Sequence, residues 1–308
     1  MLIKKCVIML KVFLFLLPGI LLAQNNWKDF SLKGKVKSLG SVTVKADNYQ
    51  LTSTSGFLDS ENFDSVYLEF DSKGNLILQK NFLDYQGKLG LFDWTKFQFN
   101  HENQIEKSET TLIQNGEEPR KTSQRKTFYY IKNQLVRMDE FNAGRTSDQF
   151  WVTNYIYDGG RLKRKDFWME DEIFSTSEFE HRLMKVTSEK TFHNDGKLGK
   201  TIIYKYDDNA KLILKSAKSG NEQTDETFEY ENAKLKAHTI KNRGKIILEE
   251  FLTMDELPKE IRKFNYATQE FDLYQFQFQY DNQNNWINCV ILMNQTPKLI
   301  IKRKIDYY

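Results

Sequence analysis

The chain has 308 residues, with 45 Lys and Arg against 42 Asp and Glu. The whole excess sits in residues 1–23, which hold Lys4, Lys5, Lys11 and no acid, so residues 24–308 are formally neutral and composition gives no argument for nucleic acid or anionic lipid as a partner. With 40% hydrophobic, 14% aromatic and 28% charged residues, the chain is too apolar to be disordered and long enough to build a large core.

Residues 1–23 read as an export signal. Met1–Lys5 is a short basic segment, Val12–Leu17 is uninterrupted apolar sequence, Pro18-Gly19 breaks the helix, and Leu21-Leu22-Ala23 precedes Gln24. A membrane anchor is excluded by length, because a spanning helix needs roughly 20 apolar residues. Cleavage after Ala23 leaves Cys289 as the one cysteine, so no intramolecular disulfide is expected. Cys289 alternates with Ile287 and Ile291, which predicts a small buried apolar residue rather than a reactive thiol.

From there the chain repeats itself. After a short cap or turn at Trp27–Leu32, one junction recurs: an aromatic, often Asp, a few turn formers, then a large apolar residue. It appears as Phe70-Asp71-Ser72-Lys73-Gly74-Asn75-Leu76, Phe99 to Ile105, Tyr130 to Leu135, and Tyr157 to Leu162. Further copies run from Phe179 to Leu183 (degraded), Tyr206 to Leu212, Tyr230 to Leu235, and Tyr280 to Trp286. The 50 residues between Tyr230 and Tyr280 have room for about two units but show no clean junction. Between junctions lie second turns such as Gln114-Asn115-Gly116, Asn142-Ala143-Gly144, Asn194-Asp195-Gly196, Lys218-Ser219-Gly220 and Asn242-Arg243-Gly244, whose Asn, Asp and Gly supply the positive φ of tight hairpins.

The joining segments alternate with period two. Tyr274, Phe276, Phe278 and Tyr280 face one way, and Gln275, Gln277 and Gln279 the other. The prediction is all-β: an antiparallel β-meander of repeated hairpins forming one large curled sheet, solenoid-like array or partly closed barrel, with residues 24–308 as a single domain. Edge strands of such a sheet would be available to pair with another chain, although the sequence does not identify them.

Tyr157-Asp158-Gly159-Gly160-Arg161-Leu162 resembles the tyrosine–aspartate (YD) repeat of Rhs-type cell-envelope proteins, with looser copies at 70–76, 206–212 and 280–286. The opening Leu32–Ser38 and the close Ile305-Asp306-Tyr307-Tyr308 are similar to exported bacterial proteins built from such degenerate repeats. The resemblance implies stacked antiparallel hairpins and a role in envelope interaction or as a scaffold. The chain lacks an Asp-Pro-x-Gly segment and is too short to enclose a toxin, so a toxin role does not carry over.

No catalytic, cofactor or metal site is predicted. Asp71, Asp158, Asp207 and Asp281 precede turns, where Asp bonds nearby amides. Gly199-Lys200-Thr201 lacks the first glycine of a phosphate loop, since Asn194 stands there. His101, His181, His193 and His238 are not paired at ligand spacing. Glu170 and Glu172 are placed on one strand face, Glu249 and Glu250 on opposite faces. Of the tryptophans, Trp151 and Trp286 read as core, leaving Trp94 and Trp168 as candidate ligand-contact aromatics.

These observations predict a non-catalytic exported protein, periplasmic or at the cell surface. It would bind an envelope protein or glycan, without nucleic acid, cofactor or membrane insertion after signal cleavage. A glycan-binding module is the alternative. An outer-membrane β-barrel is a third reading, opposed by charge at both parities of residues 162–171, where Arg164 and Asp166 alternate with Lys163 and Lys165.

Overall fold

The computed structural model describes residues 26–46, 62–85, 88–113, 123–144 and 147–308; the export signal and the Gln114-Asn115-Gly116 turn lie outside them. A 3-10 helix, Trp27–Phe30, precedes twenty strands. They are β1 Val36–Lys45, β2 Asn62–Phe70, β3 Leu76–Tyr85, β4 Lys88–Phe99, β5 Ile105–Leu112, β6 Gln124–Ile131 and β7 Gln134–Asn142. There follow β8 Gln149–Asp158, β9 Arg161–Met169, β10 Glu172–Arg182, β11 Lys185–His193, β12 Leu198–Tyr206, β13 Leu212–Ser219 and β14 Glu222–Glu231. The last are β15 Lys234–Asn242, β16 Lys245–Leu252, β17 Pro258–Asn265, β18 Glu270–Tyr280, β19 Trp286–Met293 and β20 Thr296–Tyr307.

Every strand pairs antiparallel with the next, and β20 returns to pair antiparallel with β1, from Val36↔Tyr307 to Lys45↔Leu299. The meander therefore closes into a barrel, and the described strands offer no free edge for another chain. Edge pairing, which a curled open sheet would allow, is overturned by this closure. For a circular ring of twenty strands, a spacing of ~4.8 Å and a tilt of ~40° give a backbone diameter of about 40 Å.

The junctions explain how the sheet curls. In each of the nine hairpins that turn at a junction, the register shifts by a β-bulge beside the last residue or two of the incoming strand. Bulges add local twist and bend, and a set of them at one rim curves a sheet toward closure. One of these bulges, between Phe251 and Leu252, marks the junction that the sequence hides. There Thr253 replaces Asp, and its Oγ1 accepts from Leu257 N–H at 3.2 Å. At the degraded copy, the turn is Leu183–Met184 and both side chains are exposed, so Val186 rather than Leu183 holds the apolar position.

Junction side chains behave as expected. Asp207 Oδ1 accepts from the backbone N–H of Asn209 (3.0 Å) and Lys211 (2.8 Å); Asp71 and Asp281 each make the same pair of bonds. Asp158 instead ends β8 beside a two-residue turn in which Gly159 and Gly160 both take positive φ. Successive repeats are tied by tyrosines: Tyr130, Tyr157, Tyr206 and Tyr230 donate their hydroxyls to the backbone carbonyls of Ile105, Leu135, Val186 and Leu212, at 2.9–3.0 Å.

The closure seam holds the densest core. Val36, Leu39, Leu68, Phe70 and Leu76 are buried with Leu32, and Trp27 and Phe30 of the 3-10 helix pack against them. Trp27 N–H donates to Gly74 O at 2.9 Å. Gly74 has φ +95, and a Cβ there would meet the Trp27 ring at 3.0 Å, so glycine is required on both counts. Asn285 bridges the seam, accepting from Lys33 N–H at 2.7 Å and donating to Lys33 O at 2.8 Å.

Candidate functional site

Directly opposed residues of an antiparallel pair share a face, so the register sorts side chains around the whole ring. One face carries Leu39, Leu68, Phe128, Phe167, Tyr204, His238, Glu250, Cys289 and Arg303. On this face Tyr155 and Cys289 are pushed up to about 12, and Tyr204 is also raised, chiefly by burial. On the other face Arg137, Arg164 and Lys190 are raised first by hydrogen bonds to Asp139, Asp166 and Glu180. Side chains converge on the concave side of a curved sheet and shield one another, which assigns the first face to the interior.

The inner face carries a belt of charge. Lys126–Glu140 lie 3.2 Å apart, Lys165–Glu189 3.9 Å and Lys215–Glu226 2.7 Å. His238 continues the belt, with Nε2 3.5 Å from Glu226 and Nδ1 3.7 Å from Glu250. Its ring stacks on Phe228, with centroids 4.7 Å apart. Burial alone would pull His238 down, but the carboxylates of Glu226 and Glu250 on either side push it up to about 9. Glu226 is held below the usual carboxylate range, because His238 and Lys215 outweigh the opposing effect of its burial. Arg303 faces the same side with its guanidinium carbon 3.3 Å from the Trp286 ring centroid, and burial pulls its ionisation down to about 9. Sequence spacing alone had left His238 unpaired. The missed signal is its equal separation of 12 residues from Glu226 and from Glu250, the length of one strand and one turn.

The outer face carries charge as well, paired along or across strands: Lys107–Glu109 at 2.8 Å, Arg137–Asp139 at 2.6 Å, Arg164–Asp166 at 2.7 Å and Arg262–Glu260 at 3.0 Å. A cavity of about 570 Å³ opens at β4–β8, lined by outward residues such as Arg125, Arg137 and Phe150 together with the inward Glu140 and Trp151. Three registered rows cross it. Lys96, Glu109, Arg125, Phe141 and Phe150 form the first. Gln98, Lys107, Thr127, Asp139, Val152 and then Trp168 form the second. Tyr129, Arg137, Asn154 and Asp166 form the third. The β5–β6 seam beneath is the shortest pairing, registered only from Lys107↔Thr127 to Thr110↔Gln124.

Both predicted tryptophans lie on the outer face and both are half-buried. They do not converge: Trp94 on β4 and Trp168 on β9 are five strands apart, ~24 Å along the ring. Trp168 flanks the cavity through Val152, whereas Trp94 pairs with Lys80 and Thr111 off its rows. Trp151 and Trp286 face inward, as core residues should. Cys289 is buried, as expected of a small apolar residue. Glu249 and Glu250 do take opposite faces, but Glu170 stands in a turn at φ 48, so it and Glu172 do not share a strand. Gly199-Lys200-Thr201 lies within β12. No cluster of three or more His, Cys, Asp or Glu suited to a metal ion occurs among the described residues.

No protein-family model matches the chain, and no curated protein does. Among solved structures, it is similar to a porin-like protein from Bacteroides uniformis, with 8% identity over 89% of this chain and 99% of that one, at a TM-score of 0.39. A porin-like protein from Bacteroides vulgatus gives 12% identity over 90% and 99%, at 0.28. The Photorhabdus luminescens Tc holotoxin pore gives 12% identity over 75% of this chain and 15% of that one, also at 0.28. TM-scores below 0.5 fall short of a shared fold, so the functional reading rests on the chain's own geometry.

Proposed function

We propose that this chain is an exported, non-catalytic β-barrel that works in water as a binding or scaffold component of the cell envelope. The observation that carries this reading is the outward charge in mid-strand. Lys107, Arg137, Arg164, Lys190 and Arg262 all face outward, each with a carboxylate partner within 3.0 Å. A lipid-facing Lys or Arg costs ~2–4 kcal/mol at the bilayer midplane. Five of them approach or exceed the whole stability of an ordinary domain, ~5–15 kcal/mol. Water on the inner side is equally in keeping with the charged belt, because a ring this wide leaves a lumen that side chains do not fill. The bulged junctions and the tyrosine ties that recur around the ring support grouping the chain with exported YD-repeat proteins.

One observation favours the outer-membrane reading. An even number of antiparallel strands closes completely, and outward aromatics (Trp94, Phe141, Phe150, Trp168, Phe264, Phe271) gather toward one rim. A spanning barrel has two such girdles with an apolar band between them, and here charge occupies that band. The purified exported chain is expected to sediment as one species without detergent and to leave phospholipid vesicles unbound. A requirement for detergent, or conductance steps in a planar bilayer, would reverse the choice. Cross-linked capture from the native envelope then separates a protein partner from a glycan.

A further inference from the structure

We propose that a cleft between two junction hairpins, at one mouth of the barrel, binds the phenol ring of a tyrosine presented by a partner chain. The inference rests on the reading of the chain as a water-exposed binding barrel and names the chemistry it binds. Toward the junction rim, the backbone ladder between neighbouring repeats stops short of the strand ends. It is registered only to Ser188↔Ile203 between β11 and β12, to Leu214↔Thr227 between β13 and β14, and to Ala237↔Phe251 between β15 and β16. Side chains span the gaps beyond. Tyr206 and Tyr230 donate their hydroxyls across to the carbonyls of Val186 and Leu212. A lysine one residue before each carbonyl lies over the ring, Lys185 at 5.7 Å from Tyr206 and Lys211 at 4.9 Å from Tyr230.

The gap between β15 and β16 has these parts without the ring. In eight of the nine bulged hairpins, the residue that follows the bulge on the incoming strand is Tyr, Phe or His; in the ninth it is Leu252. Leu252 closes β16 as Tyr206 closes β12, but it has no hydroxyl to send to the Leu235 carbonyl. Lys234 precedes Leu235 as Lys211 precedes Leu212. At this place a cavity of about 420 Å³ opens between the two hairpins, with Leu235, Leu252, Met254 and Lys234 in its wall. Met254 is exposed, so the slot is open at the rim. With no ring to cover, Lys234 donates to Met254 O at 2.7 Å. Charge does not select the ligand, because Lys236 is paired with Glu231 at 3.4 Å and Glu256 accepts from Leu235 N–H at 2.9 Å. The repeat selects it. An apolar slot with a cation beside it and a carbonyl across it is what the preceding repeats fill with Tyr206 and Tyr230.

The test is a saturation-transfer NMR titration of the purified exported chain with N-acetyl-tyrosine amide, whose capped ends stand for a chain on either side. N-acetyl-phenylalanine amide is titrated in parallel. The tyrosine probe should bind about fivefold tighter than the phenylalanine probe, the worth of one hydrogen bond. Leu252→Tyr supplies ring and hydroxyl from within the chain, so it should abolish probe binding and raise the urea midpoint. Leu252→Phe should also abolish binding, with a smaller rise. Lys234→Met, at an exposed position, leaves the slot intact and should weaken the tyrosine probe about threefold. Absence of binding, equal binding of the two probes, or binding that survives both Leu252 variants would overturn the proposal. A cooperative urea transition shows that each variant folds, and Lys234→Met carries the test if a Leu252 variant does not. Failure of the underlying reading shows separately, as detergent dependence or vesicle binding with neither probe present.

Discussion

His238 makes the stability of the barrel depend on pH in a window where few other groups titrate. Its side chain is 7% exposed and sits between Glu226 and Glu250, with Lys215 on the far side of Glu226. The folded state holds its proton up to about 9, against an ordinary value of 6.5. A group whose folded value is raised contributes in full below the unfolded value and fades as pH rises through the folded one. His238 therefore supports the fold at pH 6, progressively less from 6.5 to 9, and not above. Each pKa unit is ~1.36 kcal/mol, so the contribution at stake is about 3 kcal/mol. His238→Gln keeps a polar planar side chain of similar volume without the charge. It should lower stability at pH 6 by ~3–5 kcal/mol, because Glu226 and Glu250 are left buried with Lys215 as their cation. Urea unfolding at pH 6, 7, 8 and 9 measures both effects. The wild type should lose about 3 kcal/mol across the series and the variant under about 1. Parallel pH profiles would refute the reasoning. Glu226 gives the opposite limb: its value is lowered, so its contribution is present above its unfolded value near 4.5 and is lost as pH falls through the folded one. Together they place maximal stability between about pH 5 and 6.5.

Removing a tie between repeats, as in Tyr157→Phe or Tyr230→Phe, leaves the carbonyl of Leu135 or Leu212 without its hydroxyl donor and should cost ~1 kcal/mol in urea unfolding. Asp207→Ala removes two side-chain bonds to turn amides and should cost ~1–2 kcal/mol, whereas Asp158→Ala, beside the Gly159–Gly160 turn, should cost less. Gly74→Ala should destabilise the seam and expose the Trp27–Phe30 segment to limited proteolysis, since both its φ and the Trp27 ring oppose a Cβ. Cys289, its thiol pushed up to about 12 by burial, should resist iodoacetamide at pH 8 until urea is added.

Turn chemistry and alternation were written locally and were read correctly. Asp or Asn before a turn, glycines in two-residue hairpins, and period-two aromatics each act through neighbours a few residues away. The exceptions are instructive. Thr253 does at one junction what Asp does at others, so a pattern built on Asp passed over it. Leu183 stands at the apolar place of its junction, but the two-residue turn there exposes it, and Val186 takes that place, its carbonyl accepting from the Tyr206 hydroxyl. Glu170 fell at a turn because a tight hairpin, with Glu170 and Asp171 at positive φ, interrupts the alternation.

What the sequence by itself determined is an all-β chain of repeated antiparallel hairpins, since strands and turns depend on contacts close in the chain. What only the tertiary structure decided is which residues share a wall. The Glu226–His238–Glu250 run, the rows that bring Arg125 to Phe141 and Phe150, and the separation of Trp94 from Trp168 all depend on the register between strands. A one-residue slip in any pair would send every side chain of that strand to the other face. Closure depends on pairing residues as distant as Val36 and Tyr307, which no local pattern encodes. It follows from the twist that nine junction bulges accumulate around the ring and from the core that Val36, Phe70 and Leu76 bury at the seam.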